Sequence, residues 1–105
     1  MTWTLYLDDE RWPKTNRDWT IARTKLEVEL LVKEFGMPFY ISFDHDLGYN
    51  EPTGLDVAEY LVYLDLDGIC KFPSNFEYNV HSANPVGAKN IRAYLDNYLK
   101  FKNNS

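Results

Sequence analysis

The sequence predicts a single α/β domain with a mostly parallel four-stranded sheet and three main helices. Three observations carry that expectation. Short alternating or apolar runs of strand type recur along the chain. Segments whose apolar residues return at helical spacing separate the later runs. Three of the runs stop abruptly at polar, ionisable residues. Strands alternating with helices imply a parallel sheet with helices packed on its faces. The 105 residues make one domain, and 45% hydrophobic with 16% aromatic content belongs to a folded globule, not a disordered tail.

Each element has its own signal. Residues 2–7 alternate Trp3, Leu5 and Leu7 against Thr2, Thr4 and Tyr6, a strand pattern. Residues 10–18 are polar, include Pro13 and read as a loop. Residues 19–23 suit a short second strand. From Lys25 the period changes: Val28, Leu31, Val32 and Phe35 fall at helical spacing and Gly36 supplies a stop. Residues 38–43 are apolar and aromatic enough for a central strand. After a loop at 47–52, Thr53 caps a helix with Asp56 as its capping-box partner, and Val57, Ala58, Leu61 and Val62 form the buried stripe. Residues 65–75 read as a polar connection and 76–82 as the fourth strand. Asn84-Pro85 then opens a helix, a capping side chain followed by proline at the first helical position. Ala88, Ile91, Tyr94, Leu95 and Tyr98 face the core from it. The domain is expected to span 1–100, with 101–105 a frayed tail.

The totals exclude some functions. A net charge of −5 argues against an extended DNA or RNA surface, although a local site can oppose the global sign. Cys70 is the sole cysteine, so no internal disulfide forms, which fits a reducing cytoplasm. It reads most simply as a buried or incidental thiol. No basic segment precedes an apolar core, so no signal peptide is expected, and no apolar run approaches the roughly 20 residues that span a bilayer. A cytoplasmic location is the expectation.

The strand ends carry the chemistry. They are Asp8-Asp9, Asp44-His45-Asp46 and His81-Ser82. Parallel α/β sheets bind ligands outside the carboxyl ends of their strands. On neighbouring parallel strands these three ends would open on one edge. Four carboxylates would crowd there, at a high cost unless a cation neutralises them. Mg²⁺ or Mn²⁺ held by Asp8, Asp9, Asp44 and Asp46, beside a small phosphate-containing ligand, is the leading reading. Asp pairs also cap turns, and a turn after the strand is the alternative reading of Asp44 and Asp46. In extended chain these two acids point the same way. His45 lies opposite, either catalytic or facing a helix. His81 suits proton transfer near neutrality, or is structural.

Ser82 and Asn84 sit where a helix begins. They can donate to a phosphate beside unpaired amides, cap the helix, or do both. Arg11 can clamp a phosphate or pair with Asp8 or Asp9, and Lys89 is a lesser candidate for the same task. Trp12 can wall the pocket, stack on a base, or simply pack.

These residues resemble a known pattern. The chain reads Leu7-Asp8-Asp9-Glu10-Arg11-Trp12-Pro13, then Ser42-Phe43-Asp44-His45-Asp46-Leu47-Gly48, then Thr53-Gly54, then His81-Ser82-Ala83-Asn84-Pro85. That succession is similar to the cyclic-phosphate processing receiver domain, a small offshoot of response-regulator receivers found in bacteria and their phages. The resemblance implies a receiver-like, flavodoxin-like sandwich with strand order 2-1-3-4. Ordinary receivers carry a fifth strand with a lysine that contacts the phosphoryl group. This sequence stops a strand and a helix short of that, and its first helix is reduced to residues 10–18.

The resemblance implies hydrolysis or binding of a cyclic phosphate. The expected activity is metal-dependent hydrolysis of a nucleotide 2′,3′-cyclic end or a cyclic nucleotide signal, with His81, Asp44 and His45 as the catalytic candidates. Two alternatives stand beside it. One is a binding module that sequesters a nucleotide signal or meets a protein partner in a bacterial host. The other is a degenerate receiver phosphorylated on Asp44.

Overall fold

The computed structural model describes residues 3–14 and 17–103. Four short strands, β1 (Thr4–Leu7), β2 (Trp19–Ala22), β3 (Tyr40–Phe43) and β4 (Glu77–Val80), form one sheet in the order β2-β1-β3-β4. Every neighbouring pair is parallel. Three helices, α1 (Lys25–Phe35), α2 (Gly54–Leu66) and α3 (Pro85–Asn103), complete the expected α/β, receiver-like architecture.

The strand alternation sorts the residues. Leu5, Leu7, Ile41, Phe43 and Val80 point to one face and join Val28 and Val32 of α1, Val57, Ala58, Leu61 and Val62 of α2, and Ala88, Ile91 and Leu95 of α3 in a single core. All three helices therefore share that face. Tyr6, Trp19, Tyr40, Ser42, Asn79 and His81 lie on the other, where the loop leaving β1 runs across them. Asp18 accepts a hydrogen bond from Thr4 Oγ1 through its carbonyl (2.7 Å), and the Arg17 guanidinium lies 4.5 Å from the Tyr40 ring centre.

The caps form as the residue types dictate. Thr24 accepts from the Glu27 amide at the start of α1. Thr53 and Asp56 close a full capping box on α2. Asn84 Oδ1 accepts from the Gly87 amide (3.0 Å) at the head of α3.

Several boundaries differ from the sequence reading. The strands are four residues each, because pairing stops where the chain turns into loops. Thr2 of the first expected strand, Thr15 and Asn16 of the loop, and Asn104 and Ser105 of the tail lie outside the described residues. Phe35 is half exposed and meets Trp3 edge-on, so the buried α1 stripe narrows to Val28 and Val32 with Leu31 half-buried. Asp65, read as the start of a polar connection, is inside α2 and 2% exposed. It accepts hydrogen bonds from the Phe72 amide (2.8 Å), Lys102 Nζ (3.0 Å) and the Tyr98 hydroxyl. That anchorage explains why α3 continues to Asn103 instead of fraying from Phe101. Cys70 is half-buried against the core and free. Among the described residues no helix is long and apolar enough to cross a membrane.

Candidate functional site

Register brings the three strand ends together. Leu7 pairs with Phe43, and Phe43 with Val80. The ladder then runs one residue further: the Asp44 amide donates to Leu7 O (2.9 Å) and the His81 amide to Phe43 O (2.9 Å). Asp8, Asp44 and His81 thus stand abreast at the carboxyl edge.

Asp8 is 1% exposed and accepts four hydrogen bonds. The Glu10 and Arg11 amides reach Oδ1 (2.9 and 2.8 Å), while Arg11 Nε and His81 Nε2 reach Oδ2 (2.9 and 3.0 Å). Burial pushes its carboxyl up, but these amides, the imidazole and the Arg11 charge outweigh burial and hold it below the usual carboxylate range. Asp44 goes the other way. Burial raises it first and the Asp8 charge second, against the His45 amide, the Ser82 hydroxyl and Arg11. Two adjacent carboxyls are therefore pulled apart in proton affinity, a pattern that suits acid–base chemistry. Asp9 is half-buried and makes no hydrogen bond among the described residues. Oxygens of Asp8, Asp9 and Asp44 lie within 4.8 Å of one another. Three hard carboxylates so close, one with no hydrogen bond among the described residues, fit a hard divalent cation.

An open cavity of about 530 Å³ lies over this trio, lined also by Glu10, Arg11, Asp46, Gly48, Ser82 and Ala83. Arg11 bridges the buried acids, with its second nitrogen 3.6 Å from Asp44 Oδ1.

Two close approaches hold the third strand's end in place. A Cβ on Gly54 would lie 1.9 Å from the Asp44 carbonyl oxygen, and the Gly54 amide donates to His45 O (2.7 Å). A Cβ on Gly87 would lie 2.3 Å from His45 Cγ. Glycine at these two helix starts lets the backbone after β3 sit directly on α2 and the His45 ring directly on α3.

Some expected site residues take different places. Asp46 lines the cavity but stands outside the compact trio, because the chain bends after Asp44 instead of staying extended. Its largely exposed carboxylate accepts from His45 Nδ1 (2.8 Å) and Asn84 Nδ2 (3.3 Å). His45 thus faces a helix and orients Asp46. Asn84 uses its oxygen as a cap and directs its nitrogen at Asp46, which leaves one amide N–H of the two open towards the cavity. His81 does not line the acidic cavity. Its Nε2 donates to Asp8, since a carboxylate only accepts, and Nδ1 shares a hydrogen bond with Ser42 Oγ (2.7 Å). Its ring stacks on Tyr6 at 4.5 Å. Lys89 is exposed on α3 and lines neither this cavity nor the neighbouring groove.

Sequence reasoning assigned no role to Ser42 or Tyr6. A hydroxyl inside an apolar central strand was the available signal, since a buried polar group needs a partner.

The profile of the cyclic-phosphate processing receiver domain matches residues 3–97. The chain belongs to that family. A role linked to cyclic phosphates follows from this membership. Neither a curated protein nor a solved structure matches the chain.

Proposed function

We propose that the protein hydrolyses a cyclic phosphate ester with the help of Mg²⁺ or Mn²⁺. The observation that carries this reading is the convergence of Asp8, Asp9 and Asp44, with Arg11 and Ser82 on the rim of the same cavity. The alternative for such a trio, a set of turn caps, leaves Asp9, which has no hydrogen bond among the described residues, without an explanation. Asp8, Asp9 and Asp44 would hold the cation. When bound, it polarises the phosphoryl oxygen and acidifies a water.

The chain's own groups do the rest. Arg11 and Ser82 orient the phosphate. Asp46, exposed on the rim and backed by His45, accepts the proton of the attacking water. The hydroxyl adds to phosphorus, one ring P–O bond breaks, and that proton passes to the leaving oxygen. His81 fixes the orientation of Asp8 and leaves the proton transfer to the rim. The substrate is a nucleotide 2′,3′-cyclic end or a cyclic nucleotide.

The test is incubation of purified protein and Mn²⁺ with 2′,3′-cyclic ends and cyclic mono-, di- and trinucleotides, read by mass. A product heavier by one water supports hydrolysis. Ligand withdrawn from solution but unaltered in mass overturns hydrolysis in favour of sequestration.

A further inference from the structure

A second groove adjoins the acidic cavity. It is about 530 Å³, within the size range of small-molecule sites, and is lined by Tyr6, Arg11, Trp12, Lys14, Ser42, Asn79 and His81 among others. Arg11 borders both cavities. The His81 ring, anchored on Asp8, forms part of the groove, so the two spaces meet along the line Arg11–Asp8–His81.

Trp12 gives the groove its character. Its indole is 68% exposed, yet it is braced. The Arg23 guanidinium lies 4.7 Å from its ring centre and is itself fixed on two carbonyls, Asp8 O (2.9 Å) and Arg11 O (2.7 Å). An exposed aromatic held this way is already ordered, so stacking on it costs little further freedom. Across the sheet face, Asn79 presents an amide that makes no hydrogen bond among the described residues. An amide carries both a donor and an acceptor, the complement of a base edge. Lys14 adds positive charge at the groove in a chain of net charge −5.

We infer that this groove receives the nucleobase of the cyclic phosphate, stacked on Trp12 and met at its edge by Asn79. The inference rests on the cyclic-phosphate reading of the acidic cavity and adds to it the place where the substrate's base is held. Continuity decides the occupant: a ligand with phosphate over Asp44 reaches this groove by passing Arg11, and a planar, edge-polar group suits an indole beside an amide.

Two arms test it. In the first, isotope-labelled protein is titrated with plain nucleosides and followed by NMR. Shifts at the Trp12 indole N–H and the Asn79 side-chain amide are expected, and Trp12→Ala abolishes those at Asn79. No shift from any nucleoside overturns the inference, even if cyclic phosphates are hydrolysed. In the second arm, a nucleoside 2′,3′-cyclic phosphate is compared with glycerol 1,2-cyclic phosphate in Mn²⁺. A preference of about tenfold or more for the nucleotide is expected. Trp12→Ala should shrink it to about twofold and Trp12→Phe should retain most of it. Equal use of both compounds also overturns the base site and leaves hydrolysis standing. Nucleoside shifts without turnover of any cyclic phosphate sink the hydrolase reading while upholding the base groove.

Discussion

Asp9 separates a functional carboxylate from a structural one. It makes no hydrogen bond among the described residues and sits against two other acids. Asp9→Asn removes like-charge repulsion, so in metal-free buffer its Tm should match or exceed the wild type. The same variant should lose most of the Tm gain on adding Mn²⁺. A large drop in metal-free Tm would mean that Asp9 holds the fold. Asp44→Ala should cut turnover by about a hundredfold or more and weaken Mn²⁺ binding, as measured by calorimetry. Gly54 offers a different test. Its added methyl would lie 1.9 Å from the Asp44 carbonyl oxygen, a backbone atom that cannot swing aside as a flexible side chain could. Gly54→Ala should cost about 2 kcal/mol or more in urea unfolding and displace Asp44. An unaffected midpoint would contradict this packing.

At the scale of elements, the Asp65 cluster clamps α2 to the end of α3. Burial raises the Asp65 carboxyl, but the Tyr98 hydroxyl, the Phe72 amide and Lys102 outweigh it, so its net direction is down. Tyr98 is pushed up to about 12 by burial and by the Asp65 carboxylate. A depressed acid stabilises the fold fully above its unfolded pKa, and that contribution disappears as pH falls through the folded value. Asp65→Asn should therefore be less stable than wild type at about pH 7, by about 2 kcal/mol, with the gap closing towards about pH 3. A gap that stays constant across this range would show the carboxylate's charge to be irrelevant.

This clamp also marks where sequence legibility stopped. Strand ends were readable because apolar runs break sharply into Asp8, Asp44 and His81. Caps were readable because Thr53, Asp56, Asn84 and Pro85 are local signals. Asp65 was not, since its partners lie up to 37 residues away and only the folded chain brings them near. The same distance hid the contact of Ser42 with His81, 39 residues apart. The family stretches exposed the composition of the site but not its division of labour. Only coordinates separate the trio from Asp46, or show His45 turned onto Asp46 and α3.

For the whole molecule, one face of the sheet carries all three helices and the other is crossed by a loop. The site sits at the edge between these faces, reached from both. Because the cation's proposed ligands come from separate strand ends, its binding should favour the folded chain alone. At a cation concentration about a hundred times its Kd, the expected stabilisation is about 2.7 kcal/mol. A Tm unmoved by millimolar Mg²⁺ and Mn²⁺ would exclude a cation site of useful affinity.

Arg11 sets the terms on which such an ion enters. Both Asp8 oxygens already have two donors apiece, and one donor is the guanidinium. Loading of a cation through Oδ2 would consequently be an exchange of counter-charges and not a simple addition. Its affinity would be discounted by the work of unseating the arginine. The evicted side chain would then be released at the mouth of the cavity, where an incoming anion first arrives.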